Sequence, residues 1–270
     1  MSTSLRYAFL GAGQMGGAIL GGIIRHGLAE PSCVTVCDAR PERAAELRDT
    51  LGVRTAATPN EAIDGADVVV LATKPQDLGV LLESLDRALI ARPTFLSIAA
   101  GKPLAWLEAR LPGARVVRVM PNLAMRVGEG MSAFCPGARA TDDDVARVRA
   151  VLECAGRALR LEERHFDAVT ALSGSGPAFL TVLLQAFVDG GVALGLDSDA
   201  ARTLALQTFL GTAKVLCAEP RPQLRDFIEA VTSAKGTTAA GRDVLESSDM
   251  ADVIARTLAA AARRSHELEQ

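Results

Sequence analysis

The 270-residue sequence has few aromatic side chains and no excess of positive charge. It contains one Trp and one Tyr, and its formal net charge is −3. Proteins that bind nucleic acids combine a basic surface with stacking aromatic side chains. Because this sequence has no basic cluster interleaved with aromatics, we expect no nucleic-acid partner.

Cysteine pairs and histidine clusters are also missing. The five cysteines are Cys33, Cys37, Cys135, Cys154 and Cys217, and the three histidines are His26, His165 and His266. No C-x-x-C pair or other metal-ligand spacing occurs, so no metal site is expected. An odd number of cysteines that are scattered along the chain fits a reduced cytoplasm. Each histidine is interpreted as a surface residue and not as a catalytic one.

No targeting or membrane-spanning segment is expected. The first residues, MSTSLR, lead straight into an apolar strand candidate, so the sequence indicates no signal peptide. No apolar run is expected to approach the length that spans a bilayer, and no membrane partner is predicted. The chain is 49% hydrophobic, enough to build one large domain or two modest ones.

A glycine motif near the N-terminus gives the strongest local signal. The apolar run Tyr7–Leu10 ends at Gly11, and Gly11, Gly13 and Gly16 form G-x-G-x-x-G before an apolar stretch with helical spacing. In a dinucleotide-binding turn these glycines permit a sharp turn, close approach of a pyrophosphate, and helix–strand packing. The helix N-terminus directs unpaired N–H groups at the phosphates. The strand–turn–helix context favours dinucleotide binding over an ordinary glycine-rich turn.

Residues 33–37 form the second strand candidate, and the residues that follow it leave the choice of dinucleotide open. Asp38 follows the last glycine of the motif by 22 residues, where a carboxylate binds ribose hydroxyls. It could instead cap the helix that starts near Pro41. Arg40 and Arg43 could hold a 2′-phosphate. Because two like charges about 4 Å apart repel by roughly 4 kcal/mol at an effective dielectric near 20, Asp38 disfavours NADPH and the arginines favour it.

Further strand candidates alternate with helices through the first half of the chain. The runs at residues 68–72, 95–98, 115–120, 131–135 and 158–161 predict an α/β fold with a Rossmann-type, doubly wound parallel sheet over residues 1–162. The carboxyl ends of such strands line the ligand crevice, which places Lys74 there. Small residues at 99–101 would let a flat ring lie close to the backbone. Asn60 either caps a helix or touches the adenosine side of a cofactor.

The second half of the chain contains no convincing strand. Residues 163–270 are predicted to form an all-helical domain, with helical spacing over residues 166–194, 200–217, 223–231 and 251–268. Several of these helices are apolar on more than one face, which indicates either a subunit interface or a buried core helix. Residues 232–238 form a polar loop whose hydroxyls and glycine suit a small anion at a helix start, or a plain helix cap.

The residue types favour one kind of nicotinamide chemistry. Reducing a ketone builds alkoxide charge and needs a strong positioned donor, for which the histidines are poor candidates. A protonated imine already carries its positive charge on nitrogen, and hydride transfer discharges it. Such a site needs an anchor for a carboxylate and a modest hydrogen-bond partner for nitrogen.

Six motifs together resemble the pyrroline-5-carboxylate reductase family over essentially the whole chain. They are GAGQMGGAI from Gly11, ATKPQ from Ala72, SIAAG from Ser97, RVMPN from Arg118, ALSGSGPAF from Ala171, and TSAKGTT from Thr232. The resemblance implies a Rossmann domain followed by a helical dimerisation domain, assembled as a homodimer or a ring of dimers. It also implies reduction of 1-pyrroline-5-carboxylate to L-proline, the last step of proline biosynthesis, with NADPH or NADH.

The resemblance also implies roles for individual residues. The cofactor would be bound by Gly11, Ala12, Gly13, Gln14, Met15, Gly16, Asp38, Arg40, Asn60, Ala72, Lys74, Pro75 and Ala100. The substrate carboxylate would be held by Ser233, Gly236 and Thr237, and Thr238 would hydrogen-bond the ring nitrogen as the catalytic residue.

Two departures from the family pattern keep alternatives open. Ala234 and Lys235 stand where the family usually reads TSPGGTT, and Leu123 and Ala124 follow Asn122 where MPNTP is common. A related cyclic imine acid is therefore an alternative substrate. A β-hydroxyacid dehydrogenase would carry a lysine in G-x-G-x-x-x-K, and that position is Leu180. A non-catalytic NAD(P)-sensing protein would keep the glycine turn and lose the Ser/Thr loop.

Overall fold

A computed structural model describes residues 5–218 and 220–269. Residues 1–4, the start of the segment in which no signal peptide is predicted, lie outside the described residues. The chain divides into two compact units. The first runs to Ser175 and takes in the residues from Ala261 onward, whereas the second is Gly176–Ala260. The domain boundary predicted between residues 162 and 163 lies before the boundary between the two units, which comes after Ser175.

The first unit is built on one sheet. Among the described residues it has eight strands, in the order β3-β2-β1-β4-β5-β6-β7-β8. The strands are β1 Tyr7–Leu10, β2 Val34–Cys37, β3 Arg54–Thr55, β4 Val68–Leu71, β5 Thr94–Ser97, β6 Arg115–Met120, β7 Gly130–Pro136 and β8 Gly156–Arg160. The central strands are in register, with Tyr7 opposite both Val34 and Val68. This is the doubly wound, Rossmann-type sheet that the sequence predicts.

Helices follow the strands, and the second half contains one helix, Thr237–Ser247, that lies outside the predicted helical spans. In the part with the sheet they are α1 Gln14–Arg25, α2 Pro41–Leu51, α3 Pro59–Ile63, α4 Pro75–Glu83, α5 Leu104–Arg110, α6 Asp142–Glu153 and α7 Phe166–Val169. A π-turn, Thr170–Gly174, leads into α8 Gly176–Ala193, α9 Ser198–Cys217, α10 Leu224–Ala230, α11 Thr237–Ser247 and α12 Met250–Glu269. The start of α2 at Pro41 and its end at Gly52, with φ +72, match the usual preferences for helix ends.

The apolar strands are explained by cover on both faces of the sheet. Tyr7 and Phe9 of β1 pack into one core cluster, and the alternate residues Ala8 and Leu10 pack into a second. Side chains of a strand alternate between faces, so a strand buried on both sides must be apolar throughout. All four residues of β1 and of β4 are buried.

The sheet departs from an all-parallel arrangement at one end. β7 pairs antiparallel to β6, with Val119 opposite Phe134, and β8 runs parallel to β7. The link between β6 and β7 contains only a short 3₁₀ turn, Leu123–Val127. A parallel pair needs a longer crossover connection, so the chain returns in the opposite direction.

The second unit consists of helices. Its two long helices α8 and α9 pack together, and the rings of Phe187 and Phe209 meet edge to face at 5.3 Å. Large apolar side chains are nonetheless exposed on both helices, including Leu180, Val182, Val192, Leu204 and Leu210. The apolar character on more than one face that the sequence indicates is therefore present.

One expectation about hydrophobic length is wrong. Residues 163–193 form a helical segment of 31 residues that is long and apolar enough to cross a membrane by length and composition. The sequence SGSGP at residues 173–177 suggests a break in the helix. The helical segment continues into it through the π-turn, so its length was underestimated. Only 11% of its most apolar window is buried.

Candidate active site

Gly11 is the point where three strand ends meet. Its φ is +89°, a conformation that L side chains rarely adopt. A Cβ on Gly11 would lie 2.8 Å from the carbonyl carbon of Ala72, which directly follows β4. The Gly11 N–H donates to the carbonyl of Cys37 at the end of β2, at 2.8 Å. Glycine is thus required here by both the turn and the approach of β4.

The other two glycines of the motif have different surroundings. A Cβ on Gly16 would lie 2.8 Å from the Gly11 carbonyl oxygen and 2.9 Å from the Ala72 Cβ. Nothing in the structure lies within 4 Å of a Cβ built on Gly13. Gly16 therefore permits helix–strand packing, whereas Gly13 leaves open space at the start of α1.

The N-terminus of α1 fits a pyrophosphate. Its N-cap is Gly13, no side chain caps it, and its first turn holds no acidic residue. The first N–H groups of a helix have no intrahelical partner, and the helix dipole adds positive potential. In this first turn Gln14 accepts from the Arg126 guanidinium at 3.1 Å, and Met15 packs against the core. A dinucleotide that binds here is met by free backbone donors.

Asp38 has a structural function in the turn. Its Oδ2 accepts from the Ala12 N–H at 2.7 Å and its Oδ1 accepts from the Arg40 N–H at 3.0 Å. The Asp38 side chain is 8% exposed. The helix-cap alternative is not realised, since the N-cap of α2 is Arg40. Because its oxygens already accept two backbone hydrogen bonds, Asp38 stabilises the connection between β2 and the glycine turn.

Ala12 is also held from the other side. The Arg43 Nε donates to the Ala12 carbonyl at 2.9 Å, and Arg43 Nη1 pairs with Glu46 at 2.6 Å. Both polar backbone groups of Ala12 are therefore engaged within the protein. Ala12 contributes to the shape of the turn, and its N–H does not point at a ligand.

A cationic cavity opens beside this turn. Its volume is about 510 Å³. It is lined by Gly13, Gln14, Gly17, Ala18, Arg25, Arg40, Arg43, Arg126 and Glu46. Four guanidinium groups face a single carboxylate, which suits an anion such as a phosphate monoester. Arg25 and Arg126 carry no sequence signal for this role, because they come from the far end of α1 and from the turn after β6.

The end of β4 forms the opposite wall of the glycine turn. Ala72 lies against Gly11 and Gly16, Lys74 is the exposed N-cap of α4, and Pro75 is the first residue of that helix. The Thr73 hydroxyl is buried and has no hydrogen-bond partner among the described residues. Buried hydroxyls are nearly always paired, so this donor fits a polar group of a bound cofactor. The sequence analysis missed Thr73.

The loop after β5 supplies small residues to the same edge of the sheet. Ala99 is buried, Ala100 is exposed, and Gly101 has φ +67. A Cβ on Gly101 would lie 3.0 Å from the carbonyl oxygen of Leu268, near the end of α12. The exposed backbone around Ala100 is compatible with a flat ring.

Both polar atoms of the Asn60 side chain make hydrogen bonds within the protein. Its Nδ2 donates to the Ser84 carbonyl at 3.1 Å, and its Oδ1 accepts from the Asp86 N–H at 2.9 Å. It does not cap α3, because Thr58 and Glu61 form that capping box. Asn60 joins α3 to the loop after α4, and its role at a cofactor stays a prediction.

The Ser/Thr loop belongs to the second unit and ends at a helix start. Gly236 is the N-cap of α11 and Thr237 and Thr238 lie in its first turn, which has no side-chain cap and no acidic residue. A Cβ on Gly236 would clash with the Ser233 Oγ, so this hydroxyl lies against the helix start. Ser233, Thr237 and Thr238 are all exposed. The three residues predicted to hold a carboxylate, Ser233, Gly236 and Thr237, thus lie together with Thr238, and the helix start has free N–H groups to receive an anion.

The motif RVMPN belongs to a polar network at the end of β6. Arg118 is buried, donates to Glu163 at 2.8 Å and pairs with Glu269 of α12. Asn122 donates to the Ser173 carbonyl at 3.3 Å and accepts from the Met131 N–H. These partners are distant in sequence, so the sequence analysis gave no indication of the network.

One cluster of possible metal ligands escaped the sequence analysis. Asp167, His266 and Glu269 place one ligand atom each within 4.8 Å of one another. The His266 Nδ1 lies 3.3 Å from Asp167, and Glu269 pairs with Arg118. Glu269 already has a partner in Arg118 and Asp167 has one in His266, and no metal is assigned to the cluster.

Comparison with known proteins identifies the family. Residues 163–268 match the family model described as "Pyrroline-5-carboxylate reductase dimerisation", and residues 6–101 match that described as "NADP oxidoreductase coenzyme F420-dependent". The chain is 38% identical over 264 residues to the pyrroline-5-carboxylate reductase of Methanosarcina acetivorans, with 97% of each chain covered. The chain belongs to the pyrroline-5-carboxylate reductase family.

Other family members agree with this assignment. The pyrroline-5-carboxylate reductase of a Synechocystis species is 37% identical over 267 residues, with 98% of each chain covered. The solved structure of the pyrroline-5-carboxylate reductase of Coxiella burnetii superposes with a TM-score of 0.94 at 27% identity, covering 99% of this chain and 100% of that one. The resemblance drawn from the six motifs is confirmed.

Two glycine substitutions separate binding from folding in this reductase. Gly16→Ala places a methyl group 2.8 Å from the Gly11 carbonyl oxygen and should lower the melting temperature by several degrees. Gly13→Ala meets open space, so its melting temperature should stay near that of the wild type. Its methyl group should nevertheless weaken binding of NADPH by about tenfold or more, equivalent to about 1.4 kcal/mol.

The two properties are measured by thermal unfolding and by titration of NADPH fluorescence on the same preparations. If Gly13→Ala binds NADPH like the wild type, the pyrophosphate does not lie at the start of α1.

Proposed function

We propose that this protein reduces 1-pyrroline-5-carboxylate to L-proline with a reduced nicotinamide dinucleotide. The observation that carries the proposal is the group of exposed hydroxyls at the uncapped start of α11, in a chain of this family. A non-catalytic NAD(P)-sensing protein would have no reason to keep this group. The proposal makes the protein an oxidoreductase that acts on a C=N bond.

The chemistry asks little of the protein beyond orientation. The reduced nicotinamide supplies the hydride, and the protonated imine accepts it at carbon while its positive charge is discharged. Ser233, Gly236 and Thr237 hold the substrate carboxylate with hydroxyl and backbone N–H donors at the start of α11. Thr238 places its hydroxyl on the ring nitrogen. The absence of a histidine from this set is consistent with an imine substrate, since no alkoxide develops.

Individual residues bear on two alternative functions, a β-hydroxyacid dehydrogenase and a reductase of another cyclic imine acid. A β-hydroxyacid dehydrogenase needs a catalytic lysine, and Leu180 stands at that position. A different cyclic imine acid is favoured by the two departures from the family pattern. Lys235 adds a positive charge beside the loop and has φ +62, and Leu123 and Ala124 lie in the turn after β6. Because Ser233, Gly236 and Thr237 match the family motif, we favour the five-membered pyrroline acid.

We infer that the working form is a homodimer or a ring of dimers in the cytoplasm. The exposed apolar residues of α8 and α9, such as Leu180 and Leu204, need cover from a second chain. The same cover accounts for the long apolar segment at residues 163–193 without a membrane. All five cysteines are free, as expected in a reducing compartment.

We further propose that NADPH is preferred over NADH. The Asp38 carboxylate is occupied by the backbone N–H groups of Ala12 and Arg40, which reduces its value as a ribose acceptor. The neighbouring cavity carries Arg40 and Arg43 and has an excess of positive charge. A 2′-phosphate would be stabilised there by charge-assisted hydrogen bonds.

The central prediction is turnover of the imine acid. Purified protein with NADPH and 1-pyrroline-5-carboxylate should oxidise the cofactor and form proline, measured by absorbance of NADPH and by amino-acid analysis. A panel with the six-membered imine acid and a β-hydroxy acid provides the comparison. Turnover of the hydroxy acid alone would overturn the assignment.

The role of Thr238 is tested by removing its hydroxyl. Thr238→Ala should lower kcat by about tenfold to a hundredfold, because the ring nitrogen loses its hydrogen-bond partner, while the KM for NADPH changes little. Thr257→Ala is a matched control, since within the described part of the chain its hydroxyl bonds only the Val253 carbonyl of α12. Equal kinetics in the two variants would remove Thr238 from the mechanism.

Cofactor preference is tested at the cationic cavity. Arg40→Gln should raise the KM for NADPH by about tenfold and leave that for NADH nearly unchanged, because one charge-assisted hydrogen bond is lost. Asp38→Ser should shift the preference further toward NADPH by removing a negative charge. The control is Arg92→Gln, whose side chain pairs with Asp67 before β4 and lies 62% exposed. An unchanged ratio of the two KM values in Arg40→Gln would contradict the proposal.

A further inference from the structure

Arg118 is a buried charge that no substrate or cofactor role explains. The residue is 4% exposed and lies in β6, near the edge of the sheet that carries the glycine turn. Its guanidinium pairs with Glu163 at 2.8 Å and with Glu269, and it lies 4.7 Å from the centre of the Phe166 ring. A guanidinium suits this position because its rigid fork reaches two carboxylates at once.

Each of the two carboxylates is connected to the loop after β5. The Glu163 Oε1 that pairs with Arg118 also accepts from the Leu104 N–H at 2.7 Å, where α5 begins. Glu269 belongs to the last turn of α12, and the carbonyl of the preceding residue, Leu268, lies 3.0 Å from where a Cβ of Gly101 would be. The loop at residues 99–103 is therefore anchored at its end by Glu163, through the Leu104 N–H, and its middle lies against the last turn of α12.

We propose that Arg118 and Glu269 are positioning residues for the cofactor. Arg118 fixes the last turn of α12 against Gly101, and this contact sets the height of the Ala100 backbone at the edge of the sheet. The inference rests on the proposed function in one respect, namely that the loop carrying Ala100 lines the nicotinamide dinucleotide. A loop displaced by a fraction of an ångström would bind the dinucleotide less well and present it less accurately.

The ion pairs differ in what their loss leaves behind. Removing Arg118 would leave two carboxylates without their shared cation, the costly case for buried groups. Removing the charge of Glu269 leaves Arg118 paired with Glu163, so the guanidinium stays compensated. Glu269→Gln is therefore the variant that releases the turn of α12 with the least disturbance to the core.

The same turn of α12 provides a matched control. Glu267 lies two residues earlier, is 59% exposed, and among the described residues pairs only with Arg264, at 2.8 Å. Surface pairs of this kind contribute little to stability. Glu267→Gln changes the same chemical group at nearly the same place, without touching Arg118.

The experiment measures NADPH affinity by fluorescence titration and steady-state kinetics for wild type, Glu269→Gln and Glu267→Gln. Glu269→Gln should weaken NADPH binding and raise the KM for NADPH by about tenfold, below the roughly hundredfold effect that a 1 Å misplacement can cause. The KM for the imine acid should stay within about twofold. Glu267→Gln should match the wild type in every measurement.

A role limited to stability predicts another pattern. If Glu269→Gln lowers the melting temperature but leaves NADPH affinity and both KM values unchanged, the positioning role is wrong. Glu269→Asp keeps the charge and should recover at least part of the lost NADPH affinity; failure to do so would also count against it. Because the titration needs no substrate, it tests this inference even if the protein reduces an acid other than pyrroline-5-carboxylate.

Discussion

The close approach of the glycine turn to the end of β4 is the constraint on which the site depends. Gly11 and Gly16 lie so near Ala72 that a single methyl group on either glycine would overlap it or its neighbours. This contact brings β1, α1 and β4 together and leaves the start of α1 uncapped. The backbone N–H groups that a pyrophosphate needs are free for the same reason that the strands can pack so tightly.

The direction of the strands gathers the remaining groups at the same edge. Because β1, β2, β4, β5 and β6 are parallel, their carboxyl ends bring together Asp38, Thr73, Ala100 and Arg118 from distant parts of the sequence. Several of these residues already make hydrogen bonds or ion pairs within the protein. Asp38 and Arg43 hold Ala12, and Arg118 holds two carboxylates. The backbone of the site is thus supported by hydrogen bonds and ion pairs within the protein.

The helical half carries one of the two departures of this chain from the family pattern. Lys235 adopts φ +62, a conformation that costs an L residue about 1–2 kcal/mol, at a position where the family pattern has glycine. The loop nevertheless ends at Gly236 with Ser233 against the helix start, as the motif requires. The change is thus tolerated by the backbone and adds a positive charge beside the hydroxyls.

Local sequence was sufficient for the features that depend on neighbouring residues. The β1–turn–α1 unit, the buried parallel strands, the helical second half and the family could all be predicted, because glycine spacing, apolar runs and motifs are local properties. The length of the apolar helix at 163–193 was missed, since SGSGP resembles a break and only the π-turn carries the helix through it. The reversal of β7 was missed because strand direction depends on the length of the connection.

Tertiary structure alone decided what the polar side chains do. The sequence suggested Asp38 for a ribose and Asn60 for an adenosine or a cap. Folding pairs Asp38 with Ala12 and Asn60 with Ser84, and their contacts with a cofactor stay predictions. The unpaired hydroxyl of Thr73 and the burial of Arg118 between Glu163 and Glu269 appear only when distant segments meet. The physical reason is that a hydrogen bond depends on distance in space, whereas the sequence specifies only distance along the chain.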